Sequence, residues 1–177
     1  MDINLLVNIT ARAWALDILA ALHRGVPGRQ AKLMAATGAG RSAFAESLRH
    51  LQDLDLLTRN PGHGHPLRPE YMLTEQGRAL AAAAGAIRAA PNADHALLRR
   101  AWTVPVLAVT SVHRTFTDIR RQLPQVTDRA LSQSLKQLQA VNWLARDVAH
   151  DIRPPRARYQ AVGPGRVISQ AAQLIRP

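Results

Sequence analysis

Arg129, Gln133 and Lys136 stand four and three residues apart, with Asp128 and Ser132 beside them, so on a helix all five share one side. Arg and Gln are the side chains able to bond two positions of one base edge, guanine for Arg and adenine for Gln. A helix that displays them must bury its other side, and Leu131, Leu135 and Leu138 at i, i+4 and i+7 supply that seam. Thr127 is the natural N-cap. Farther along, Arg153, Arg156 and Arg158 fall in a proline-containing stretch over residues 150–158, between strand-like Trp143-Leu144-Ala145-Arg146 and a return strand over residues 159–162. Three arginines at such a tip would lie along phosphate or in a minor groove.

The elements that must position these residues occur twice. Ala13-Trp14 matches Ala101-Trp102, Leu19 matches Leu107, Leu48 and Leu51 match Leu135 and Leu138, Tyr71 matches Tyr159, and Gly77 matches Gly165. The offset is 88 residues at the tryptophans, 87 through the leucines and 88 again at the tyrosines. A period this long exceeds that of a solenoid unit, so each copy is a small domain with its own core. The expected units are residues 1–90 and 95–177, joined by Pro91-Asn92-Ala93-Asp94.

In the first copy, residues 11–23 carry Trp14, Ile18, Leu19 and Leu22 at helical spacings and stop before Gly25. A short helix fits residues 30–36. A third fits residues 41–54, with Phe44, Leu48 and Leu51 on one face and Arg41, Ser42, Ala45, Glu46 and Arg49 on the other. Two strands, residues 56–59 and 71–74, flank a stretch whose prolines and glycines make a hairpin tip, with Arg68 on it. The second copy repeats the order with helices over residues 102–112, 116–123 and 128–141, then its hairpin. Helix, helix, helix, hairpin is the order of a winged helix-turn-helix. The fold class expected is therefore mainly α with small β-hairpins (α+β), as two winged helix-turn-helix modules in tandem.

Charge points to a polyanionic partner. The chain carries 23 Lys and Arg against 12 Asp and Glu, a net charge of +11. Residues 1–90 hold ten basic and seven acidic residues, and residues 91–177 hold thirteen and five, so the second copy is much the more basic. A field of that sign gathers polyanions, and double-stranded DNA is the partner expected. The bland alternative is an arginine-rich solvated surface, since 21 of the 23 cations are Arg.

Other chemistry is not supported. No apolar run nears the roughly 18 residues of a bilayer span, so no membrane partner is expected. Met1-Asp2-Ile3-Asn4 opens without a basic region or cleavage site, which favours a cytoplasmic, nucleoid location over secretion. With no cysteine there are no disulfides, no thiolate sensing and no cysteine zinc site. His63-Gly64-His65 lacks a third ligand nearby in sequence and reads as a solvated tip. Gly163-Pro164-Gly165 matches the turn at Glu75-Gln76-Gly77 rather than a phosphate loop, and Trp14 and Trp102 read as packing residues. Asp17 and Asp118 form no catalytic pair, and no serine elbow or Walker sequence occurs. Neither an enzyme activity nor a cofactor is expected.

Three stretches carry a resemblance: residues 115–121 (Thr-Phe-Thr-Asp-Ile-Arg-Arg), residues 127–138, and Pro154-Pro155-Arg156-Ala157-Arg158-Tyr159. Together with Trp14, Leu48, Leu51 and Tyr71-Met72-Leu73-Thr74-Glu75-Gln76-Gly77-Arg78-Ala79-Leu80, they resemble the HxlR family of winged-helix transcriptional regulators, relatives of the MarR group. The resemblance implies a DNA-binding repressor or activator whose third helix enters the major groove. It carries groove contact to Thr127, Arg129, Gln133 and Lys136, with Ser42, Glu46 and Arg49 as first-copy counterparts.

Two departures follow. Such regulators hold one module per chain and form homodimers, whereas this chain holds two, which implies an intramolecular pseudo-dimer. Residues 75–90 and 167–175 then occupy the places of the dimerising helices. Some relatives sense reactive molecules with a cysteine that this chain lacks. The copies also differ at base-facing positions, where Thr127, Arg129 and Gln133 are matched by Gly40, Ser42 and Glu46, so unlike half-sites are expected. The rival reading is a tandem winged-helix scaffold for protein partners, or a nucleoid-associated protein that binds DNA without sequence preference. A plasmid replication initiator with paired winged helices ranks lower. The sequence names no small-molecule effector and leaves a further homodimer open.

Overall fold

The computed structural model of the chain describes residues 1–60, 69–149 and 155–175. Helix α1 (Ile3–Thr10) starts at Asp2, whose carboxylate accepts the Leu5 N–H at 3.0 Å. The apolar spacing suggests one helix over residues 11–23, and that helix begins only at Ala15. The chain turns over residues 11–14 and bends by 101° before α2 (Ala15–His23). Thr10 ends α1 by donating its hydroxyl to the carbonyls of Leu6 and Val7, at 3.0 and 3.2 Å. Among the described residues no single helix is long and apolar enough to cross a membrane.

A helix-turn-helix follows, made of α3 (Gln30–Thr37) and α4 (Arg41–Asp53), with Gly38 in the left-handed region at φ 71° between them. Strands β1 (Leu57–Asn60) and β2 (Glu70–Leu73) pair antiparallel, Leu57 opposite Leu73. Helix α5 (Glu75–Arg88) is capped by Thr74, whose hydroxyl accepts the Gly77 N–H at 2.9 Å.

The second copy repeats this plan with a stub, α6 (His95–Leu98), then α7 (Thr103–Val109), β3 (Arg114–Thr115), α8 (Phe116–Gln122) and α9 (Asp128–Ala140). Strands β4 (Leu144–Ala149) and β5 (Arg156–Ala161) form the hairpin, and α10 (Gly163–Ala172) closes the copy. The sheet order is β3-β5-β4. This hairpin is longer than its sequence suggested, because pairing continues from Arg146–Tyr159 out to Ala149–Arg156. Arg156 and Arg158 accordingly lie on a strand rather than at a tip.

The duplication holds at the level of single bonds. Each helix-turn-helix ends in an Asx residue with positive φ, Asp55 at 54° and Asn142 at 56°. Each is followed by a 2.9 Å backbone bond back into the helix, Leu56 N–H to Leu51 and Trp143 N–H to Leu138. The first turns of α5 and α10 then press against those same corners: a Cβ on Gly77 would overlap the Leu56 carbonyl, and one on Gly165 the Trp143 carbonyl. Two invariant landmarks of the repeat are thus glycine because backbone passes against backbone.

The two copies share one core. Helix α10 packs on both α5 and α7, and α1 packs on α7 of the other copy. Reciprocally, the Arg99 guanidinium after α6 sits 4.3 Å from the centroid of the Trp14 ring. Trp14 and Trp102 are partly buried against the core, while Trp143 is 2% exposed. The Asp2 N–H donates to the Ile175 carbonyl at 2.9 Å, tying the start of the first copy to the exit of α10.

One charged pair lies inside. Asp17 of α2 meets Arg88 of α5 at 2.5 Å, with side chains 6% and 12% exposed. Burial pushes the Asp17 carboxyl up from its ordinary range, against the pull of Arg88, Arg99, His95 and Arg24. Among the described residues its Oδ2 has no hydrogen-bond partner. In the second copy Pro105 stands at the matching place, so this pair belongs to the first copy alone.

Two substitutions check this account. Gly165→Ala should destabilise the protein by about 1–3 kcal/mol in urea unfolding, since α10 must shift off the Trp143 carbonyl. Asp17→Ala should cost about 3–5 kcal/mol by leaving Arg88 buried without its partner; a loss near zero would mean that water reaches Arg88.

Candidate nucleic-acid interface

In the second copy the helix-turn-helix is stapled at both of its starts. Thr115 and Asp118 form a capping box on α8: the Thr115 N–H and hydroxyl donate to Asp118 Oδ2 at 3.1 and 2.7 Å, and the Asp118 N–H donates to Thr115 Oγ1 at 3.2 Å. The side-chain and backbone bonds from Thr115 hold the Asp118 carboxyl below its ordinary range. On α9, Thr127 Oγ1 accepts the Ala130 N–H at 3.2 Å. Arg120 spans the turn, its Nε donating to Asp128 Oδ1 at 2.6 Å and its Nη1 to the Pro124 carbonyl at 3.1 Å.

Helix α9 lies on Leu131, Leu135 and Leu138, all buried as their spacing predicts. Thr127, Arg129, Gln133 and Lys136 are exposed along its other side, with Ser132 half-buried between them. Among the described residues Arg129, Gln133 and Lys136 make no side-chain hydrogen bond or ion pair, so they are available to a partner. The wing stands beside this helix, since β4 leads directly out of its C-terminal turn. Arg156 is exposed on β5, and Arg158, half-buried, faces Asp147 on one side and Thr115 on the other in the strand register. Arg153 lies outside the described residues.

The first copy presents the same helix with different chemistry. Phe44, Ser47, Leu48 and Leu51 are the buried side of α4, and Arg41, Ser42, Glu46 and Arg49 are exposed. Gly40 offers no side-chain cap. Glu46 has Arg12 at 3.9 Å, a loose surface pair, and His50 Nε2 lies 2.7 Å from the Asn8 carbonyl, so α4 is tied to the segment that begins the chain. Arg68, His63 and His65 lie outside the described residues. Sequence reasoning thus nominated one face on each of α4 and α9, and the fold leaves both faces uncovered.

Three residues escaped that reasoning. Thr117, Arg120 and Arg121, with Phe116 and Asp128, line a cleft of about 500 Å³ between α8 and the start of α9. They sit on the helix before the reading helix, where no alternation of apolar and polar residues marks them. A second, smaller groove of about 260 Å³ runs between α6 and the end of α9, lined by Leu97, Arg100, Gln137 and Val141 among others. Among the described residues no group of three or more His, Cys, Asp or Glu converges as a metal site would require.

Comparison with known proteins agrees with this geometry. The family model for the HxlR-like helix-turn-helix matches twice, over residues 9–91 and 97–176. No curated protein matches the chain. The two matches fall on the two copies and span nearly the whole length. Members of that family regulate transcription by binding DNA and are not enzymes. The chain belongs to the HxlR-like helix-turn-helix family, with the helix-turn-helix present twice in one polypeptide.

Proposed function

We propose that the protein is a sequence-specific regulator that reads two non-identical half-sites of one double-stranded operator with a single chain. Residues 1–90 and 95–177 act as the two units, and α4 and α9 enter successive major grooves about 34–36 Å apart. The observation that carries this reading is the exposed, unpaired row Arg129, Gln133 and Lys136 on a helix whose opposite side is locked by three buried leucines. Base reading requires such a row, because a rigid helix fixes which edge each side chain reaches.

The division of labour follows from chemistry. Arg129 and Gln133 suit guanine and adenine, while Ser42 and Glu46 at the matching places suit other bases, Glu46 accepting from cytosine. The wing arginines, Arg156 and Arg158 with Arg153 and Arg68, bear on phosphate or the minor groove and contribute affinity without sequence preference. Most of the affinity is therefore electrostatic and falls with salt. Such a protein works in the cytoplasm, on the nucleoid.

Selection from a random duplex library at about 0.15 M salt, with the mass of the complex measured by light scattering, tests the proposal. A bipartite motif with unlike halves, filled by one chain, is the expected result. Binding without any enriched motif would favour the scaffold or nucleoid-associated reading, and two chains per site would show a further homodimer. On the recovered site, Arg129→Ala should relax preference at one base pair and cost about 1–3 kcal/mol, whereas Arg156→Ala should weaken every sequence alike.

A further inference from the structure

The cleft between α8 and α9 holds an arrangement that base reading leaves unused. Arg120 is pinned by two acceptors from across the turn, Asp128 at 2.6 Å and the Pro124 carbonyl at 3.1 Å. Two bonds on a planar guanidinium fix its plane, and Nη2 remains without a partner among the described residues. Arg121 stands beside it, 75% exposed and held, among the described residues, only by a 3.6 Å pair to Asp118. Thr117 and Phe116 complete the wall. An acid at the start of a helix is ordinarily explained by the helix dipole, but Asp128 also grips a cation eight residues away.

The first copy lacks the device. Aligning the helix starts puts Leu33 with Ile119, both fully buried, and then Met34 with Arg120 and Arg41 with Asp128. No ion pair is possible between Met34 and Arg41. The pinned arginine belongs to the copy that also carries most of the positive charge.

We propose that this cleft seats one backbone phosphate of the bound DNA between Thr117, Arg120 and Arg121, and that Asp128 is a positioning residue that aims Arg120. The proposal rests on the DNA-binding reading. It makes an unusual demand on sign: removing a negative charge from a DNA-facing helix ordinarily tightens binding, because like charges repel. Here it must weaken binding, because Arg120 loses its aim.

Affinity for a mixed-sequence 40-bp duplex, followed by fluorescence anisotropy over a salt series, decides the matter. Arg120→Ala should weaken binding about five- to tenfold and make the log–log salt slope shallower by about one. Asp128→Ala should weaken wild-type binding severalfold, yet tighten it or leave it unchanged in the Arg120→Ala background. Arg120→Lys should keep most of the slope while losing affinity, since Lys keeps the charge without the planar fork. Asp128→Ala tightening wild-type binding, or Arg120→Ala leaving the slope unchanged, would overturn the proposal. Inorganic phosphate replacing chloride at constant ionic strength should compete for the seat and weaken duplex binding by the wild type more than by Arg120→Ala; inorganic phosphate that binds the wild type through Arg120 in calorimetry yet leaves duplex affinity as it was would assign the seat to a free anion instead. A wild-type protein that binds no duplex would sink the DNA-binding reading itself, a separate failure.

Discussion

The contact of α10 with α5 governs the rest of the molecule. Each of these helices also packs within its own copy, α5 on α2 and α10 on α7, so the seam between them is continuous with both cores. Residues from Leu6 to Ile175 consequently form one buried cluster. The positions of α4 and α9 relative to each other are set by that seam, because each reading helix is fixed to its copy by buried leucines and each copy is fixed to the other by α5 and α10. A protein that assembles from two chains must reach the same arrangement by collision and holds it only above some concentration. Here the joint at residues 91–94 makes the encounter intramolecular.

How much of this was legible depends on the distance over which each constraint acts. The leucine seams of α4 and α9 were read directly from i, i+4, i+7 spacing, and the tandem order from landmarks such as Tyr71 and Tyr159. The break between α1 and α2 was not, since apolar residues continue on both sides of the turn and periodicity alone does not sense a bend. Pro154-Pro155 before Arg156 and Arg158 signals a tip; cross-strand pairing with Ala149 and Asp147 extends the strand past that signal. The Asp17–Arg88 pair joins residues 71 positions apart, and nothing local marks either as a partner. Gly77 and Gly165 were visible as repeats, while the reason for them, a carbonyl in the way of any side chain, lies in another element.

Duplication within one chain lets the two copies part company. The first keeps a buried ion pair where the second has Pro105, and it ties α4 to the N-terminal segment through His50 and Glu46. At the matching places the second has Gln137 and Gln133, and among the described residues neither ties α9 to the start of its copy. A homodimer cannot vary one side alone, because every substitution appears twice. The uneven charge of the copies is the same freedom expressed along the sequence.

The bond from the Asp2 amide to the Ile175 carbonyl puts the two ends of the described residues side by side. Chain order is then a convention of the polypeptide rather than a property of the fold. A short bridge joining those ends, with a new opening at the 91–94 joint, would send the second copy first and keep the helices of the shared seam as neighbours. The molecule is topologically a ring of two beads, cut at one of its two strings.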